Sequence, residues 1–199
     1  MAAAGKVCTG FSLPYVAKYA CADGVISYSN GRKLARGVDV SIEPDSAEDN
    51  VFYADNAAAE TDAGTFTGGT LNLTVDGLFQ EAEQMIMGLP APANNSDWLD
   101  YDDDQVVPYV GVGYIARYQS DGVTTYCPTI IVKVQFNQLQ SSHATSEEQK
   151  NYQTQALSAA ILRGDDTKRK WKRVAKEDYA TEAEAEAAIK TALNIASGG

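Results

Sequence analysis

Histidine is almost missing from this chain: His143 stands alone among 199 residues, in the polar run SSHATSEE. A serine or cysteine triad built on it would need partners at readable spacing, and the run offers none. Cysteine is scarce as well. Cys8, Cys21 and Cys127 form an odd set without C-x-x-C spacing, which points away from a disulfide framework and from a zinc site and leaves reduced, mostly packed thiols. No apolar run approaches the roughly 20 residues of a membrane span, and the N-terminal MAAAGKVCTGFSLPY has no stretch long enough for a signal peptide. The expectation is a soluble protein made in a cytoplasm, with no membrane anchoring. Positive charge is also short. Against 27 acidic side chains stand 16 basic ones, a net charge of −11 with a pI near 4.5, and such a surface repels nucleic acid rather than gripping it. No P-loop, H-E-x-x-H or paired-carboxylate spacing stands out, so neither an enzymatic activity nor a cofactor or metal is expected.

What the chain does have is patterning. Its length suits one well-buried core, so 1–199 reads as a single domain. Two periodicities meet in Thr65 to Leu89. Phe66, Leu71, Leu73 and Val75 alternate with Thr70, Asn72, Thr74 and Asp76, the period of a strand with one wet face. Leu78, Phe79, Ala82, Met85, Ile86 and Leu89 then recur at three and four, an amphipathic helix with Asp76 expected to cap its start and Gly88 and Pro90 to stop it.

Elsewhere strands predominate. Tyr15 to Ala20, Val25 to Tyr28 and Leu34 to Ile42 read as three short strands joined by turns at Asp23-Gly24 and Asn30-Gly31, with Pro44 ending the third. Residues 109 to 136 are the clearest hairpin, turning at Asp121-Gly122; Gly111 to Ala116 matches a G-x-G-x-x-A dinucleotide pattern but is followed by strand rather than helix. Ala156 to Arg163 leans to strand, a further strand is expected around Trp171, and Thr181 to Glu184 is a capping-box sequence opening a C-terminal helix. The expected fold is mainly β, about eight strands with one internal helix and a C-terminal one, and with sheet edges that need cover or a second copy.

Three charged stretches invite functional readings. Residues 44 to 64 read as a long acidic loop with a short extended piece at Val51-Phe52-Tyr53. Residues 90 to 106 read as an acidic linker with Asp97, Asp100, Asp102, Asp103 and Asp104, lacking the glycine turn and closing glutamate of a calcium loop. Lys168, Arg169, Lys170, Lys172 and Arg173 surround Trp171, as a solvated turn, as a site for single-stranded nucleic acid, or as a patch that meets the acidic loops of a neighbouring copy.

The blocks GFSLPYVAKY, YSNGRKLARGVDVSIEP, VFYADNAAAETDAGTFTGGTLNLTVDGL and PYVGVGYIARYQSDG resemble, in order and spacing, the major tail proteins of long-tailed bacteriophages with flexible, non-contractile tails. The likeness covers most of the chain from Gly10 to about Trp171. It implies a tail-tube subunit with a β-sandwich or barrel domain and a flanking helix. Six copies would form a ring, rings would stack into a tube, and inner strands would line a channel for DNA and the tape measure protein. Tail terminator and distal tail proteins would sit at the ends, and the location would be the virion. On that reading Asp39, Ser41, Thr70, Asn72 and Thr74 are candidates to face the lumen. Glu48, Asp49, Phe52, Tyr53, Asp55, Glu60, Asp62, Lys168, Arg169 and Lys170 are candidates for contacts between rings or subunits. Six copies at −11 each bring about −66 to a ring, a wall past which DNA would slide. A β-sandwich carbohydrate-binding module, with Trp98, Tyr101 and Tyr109 as its aromatic platform, is the alternative.

Overall fold

In the computed structural model, residues 5–48, 50–54, 57–62, 64–90, 98–103, 105–141 and 153–196 are described. The fold is mainly β. The strands are β1 (Val7–Ala22), β2 (Val25–Lys33), β3 (Gly37–Ser46), β4 (Asn50–Ala54), β5 (Ala57–Asp62), β6 (Phe66–Val75), β7 (Val110–Ser120), β8 (Val123–Phe136), β9 (Gln155–Leu162) and β10 (Lys172–Val174). Helix α1 (Gln80–Met87) follows β6 and helix α2 (Glu182–Ala192) follows β10. Eight strands form one antiparallel sheet in the order β2-β1-β7-β8-β9-β6-β3, with β10 paired to β8 beside that path; β4 and β5 form a separate ribbon.

Alternation sorts the sheet residues onto two faces. Leu71, Leu73 and Val75 of β6, Leu157, Ala159 and Ile161 of β9, and Val110, Val112 and Tyr114 of β7 build the main core, closed by Ala82, Ile86 and Met87 of α1. Burying each such aliphatic side chain contributes about 1.5–3 kcal/mol. A second core lies on the opposite face, where Tyr15, Ala17 and Tyr19 of β1, Tyr28 of β2, and Ile130 and Val132 of β8 meet Ala185, Ile189 and Leu193 of α2. That helix begins as its sequence implies: the Thr181 hydroxyl accepts from the Glu184 N–H while the Glu184 carboxylate accepts from the Thr181 N–H. The β7–β8 hairpin closes through Asp121 and Gly122, both left-handed at φ 48° and 80°.

Several local expectations are corrected. Asn30-Gly31 is no turn. It lies inside β2 as a bulge, where Val16 pairs Arg32 and Lys18 pairs Ser29, so that Ala17 faces two residues. Asn30 takes the left-handed conformation at φ 52°, and a Cβ on Gly31 would stand 2.3 Å from Ile195, so the extra residue also lets the chain end pack close. Pro44 does not end β3, which runs on to Ser46 as the last strand of the sheet, where the missing N–H is tolerated. Helix α1 starts at Phe79 without a side-chain cap, and Phe79 is 59% exposed rather than on the buried stripe. Asp76 instead accepts from the Arg36 N–H and guanidinium, pinning the start of β3 to the end of β6. The stretch 44–64 is not a loop around one extended piece. Ala47 donates to the Thr65 carbonyl and β4 pairs β5 through Asn50↔Asp62, Phe52↔Glu60 and Ala54↔Ala57, so the β3–β6 ladder is continued by an antiparallel ribbon. The cysteines differ in setting: Cys127 is buried, Cys21 half-buried and Cys8 exposed.

Candidate functional site

Helix α2 covers only half of its face of the sheet, packing on β1, β7 and β8. On the other half, strands β3, β6 and β9 present their outward side chains with no helix over them among the described residues. Register places Asp39 opposite Thr74, Ser41 opposite Asn72 and Glu43 opposite Thr70. On the other flank of β6, Thr70, Asn72 and Thr74 pair Ala160, Ser158 and Ala156. All five residues expected to face a lumen are thus brought onto one surface, back to back with the Leu71, Leu73 and Val75 core. Its side chains are small and mostly polar, and the three strands carry no lysine or arginine. Asn72 donates to Glu43 at 3.4 Å, and Asn137 to the Ser158 hydroxyl at 3.4 Å, so its amides are held by neighbours on the same side.

One signal for this surface was present in the sequence and was missed. No lysine or arginine occurs between Arg36 and Arg117. Strands β3 to β6 and helix α1 all fall in that interval, so none of them carries a lysine or arginine.

The basic residues gather in the turn between β9 and β10, built around the buried Asp166. Its carboxylate accepts from the Lys170 N–H at 2.9 Å and pairs the Lys170 ammonium at 3.0 Å; its carbonyl accepts from the Arg169 N–H, and Gly164 donates to the Lys170 carbonyl. Burial alone favours a neutral Asp166, but the Lys170 bonds outweigh it and hold the carboxyl below its ordinary value. Arg169 sits in the left-handed region at φ 49°, a cost that the surrounding bonds hold in place. Lys168, Arg169, Lys172 and Arg173 are exposed, and no carboxylate within ion-pair distance is found for them among the described residues. This turn faces β2 across an open cleft of about 670 Å³, lined by Val25, Tyr28, Lys168, Lys170 and Arg173.

One face of the Trp171 ring is already taken. It lies on Phe66 at 4.3 Å between centroids and 8° between planes. The neighbouring Lys133 is nearly buried, set over the rings of Tyr19 and Tyr109 at 5.3 and 4.3 Å and paired with Asp165 at 2.7 Å. That bond holds the Asp165 carboxyl below its ordinary range, whereas burial pushes the Tyr19 phenol up to about 12.

Of the expected contact residues, Glu48 is exposed just past β3. Phe52 and Tyr53 lie in β4 and Glu60 and Asp62 in β5, with side chains outside the description; Asp49 and Asp55 lie outside the described residues altogether, as do His143 and Asp97 and Asp104 of the linker. Trp98 and Tyr101 are exposed at 76% and 50%, but the Tyr101 hydroxyl is held by Glu83 at 2.6 Å and one face of Tyr109 is occupied by Lys133. No metal-ligating cluster occurs among the described residues, and none of their helices is long and apolar enough to cross a membrane. No protein-family model matches the chain, and no curated protein matches it either.

Proposed function

We propose that this protein is a structural subunit of the tail tube of a long-tailed bacteriophage with a flexible, non-contractile tail. Six copies form a ring, and stacked rings conduct the genome. The observation that carries the reading is the face of β3, β6 and β9, strands without a lysine or arginine and with no helix over them among the described residues, back to back with an apolar core. A duplex with one negative charge per about 1.7 Å of axis finds nothing there to hold it, which suits passage rather than binding. β2 and β3, each with one ladder partner among the described residues, stand at the two ends of the sheet order, which supports a protein completed by its own copies. On this reading the protein is not an enzyme, the tape measure protein precedes DNA in the lumen, and terminator and distal tail proteins close the ends.

Electron microscopy of the purified protein, alone and mixed with tail initiation components, tests the proposal. Six-fold rings or hollow tubes are expected. Material that stays monomeric at high concentration under both conditions overturns it.

A further inference from the structure

We infer that the cleft between β2 and the 165–173 turn receives the acidic β4–β5 ribbon of the next copy in the same ring. The inference rests on the ring reading and assigns one contact within it. Its first support is charge. The cleft is walled by Lys168, Lys170 and Arg173 and by one carboxylate, Asp166, which pairs with Lys170; Lys168 and Arg173 have no carboxylate at ion-pair distance among the described residues. The chain between Pro44 and Gly64 contains no lysine or arginine and includes Asp45, Glu48, Glu60 and Asp62. Complementary patches of this kind steer two surfaces together and fix their register.

The second support is position. Phe66, the first residue of β6, leaves the base of the ribbon against Trp171, which stands between Lys170 and Lys172. Arg163, at the end of β9, donates to the Phe66 carbonyl and so ties that base to the strand leading into the basic turn. The donor ribbon and the receiving turn therefore rise from one rim of the sheet. In a ring whose axis runs across that rim, donor and acceptor stand at one level and meet side by side. Contacts between stacked rings would need them on opposite rims. The ribbon strands of five and six residues extend on the order of 17–20 Å, enough to leave their own rim for a neighbour's.

The test uses two full-length variants, K168E/R173E for the cleft and E60K/D62K for the ribbon, each checked by circular dichroism and melting for an unchanged fold. Sedimentation velocity follows assembly of each alone and of the equimolar mixture, at low and high salt. Each variant alone is expected to need about a tenfold higher concentration to assemble, and the mixture to recover at least part of that loss. Assembly of K168E/R173E equal to wild type overturns the assignment while leaving the ring reading intact. So does a mixture no better than the variants alone, or a ribbon variant that assembles as the wild type does. A wild-type chain that never assembles overturns both. Binding of single-stranded DNA by the wild type that K168E/R173E abolishes would make the turn a nucleic-acid site and also overturn it.

Discussion

The Trp171 indole lies flat on the Phe66 ring, 4.3 Å between centroids, and so clamps the root of the β4–β5 ribbon to the basic turn. A stacked aromatic pair contributes about 0.5–1.5 kcal/mol beyond the area it buries. Replacing Trp171→Ala is expected to cost about 1–3 kcal/mol in urea unfolding. It should also speed amide exchange in Phe66 and its neighbours, whereas Trp171→Phe retains most of both. Unchanged exchange at Phe66 in the alanine variant would mean that the ribbon root is held without the stack.

At Gly113 on β7 helix α2 lies close against the sheet, since a Cβ there would stand 2.7 Å from Ile189 and 3.0 Å from Leu193. Gly113→Ala should push the helix outward and lower stability by about 1–3 kcal/mol, the usual cost of overpacking. Gly5→Ala, with nothing within 4 Å, serves as the control and should leave the melting temperature unchanged.

The reciprocal bonds of Thr181 and Glu184 predict a cost of about 1 kcal/mol for Thr181→Ala and nearly none for Thr181→Ser, read by thermal melting. An alanine variant as stable as wild type would place the start of α2 under the control of its packing alone.

Alkaline pH should unfold the protein at a definite place. Burial raises the Tyr19 and Tyr114 phenols from 10.0 to about 12, and the Tyr28 phenol higher still. Groups with raised folded values contribute stability that is complete below their unfolded value and lost as pH climbs through the folded one. Melting temperature should therefore fall between about pH 10 and pH 12, with a late rise of phenolate absorbance. Acid acts with the opposite sign. The Arg36 guanidinium holds Asp76, Lys133 holds Asp165, and Tyr15 and Lys190 hold Glu186, all below the ordinary carboxylate range. What they contribute is present above that range and disappears as pH drops beneath about 4.

Most of the architecture was legible because it rests on local periodicity. The alternation in β6 and β9, the left-handed pair Asp121-Gly122 and the capping box of α2 each declare themselves within a few residues. What escaped was settled by distant partners. Asn30-Gly31 carries turn chemistry, yet β1 lies beside it and converts the same positive φ into a bulge. Asp76 has the right side chain for a cap but is taken by Arg36, forty residues earlier in the chain. The 44–64 stretch hid its ribbon because the pairing of Phe52 with Glu60 follows no hydrophobic alternation. At the candidate surface, the period-two pattern placed Ser41, Asn72 and Thr74 on one side. That α2 stops short of them was not legible, because helix docking is decided by Ile189 and Leu193 meeting Tyr28 and Gly113 across the sheet.

The absence of lysine and arginine between Arg36 and Arg117 divides the charge unevenly along the chain, which is an anion overall but carries all its positive side chains outside residues 37–116. Such a molecule turns in a field before it touches anything. It should adhere to an anionic matrix through its 168–173 side in spite of its pI near 4.5, in a single orientation that salt releases within a few Debye lengths. Two such molecules approaching in solution are rotated, before contact, so that the cationic turn of one leads toward the anionic ribbon of the other.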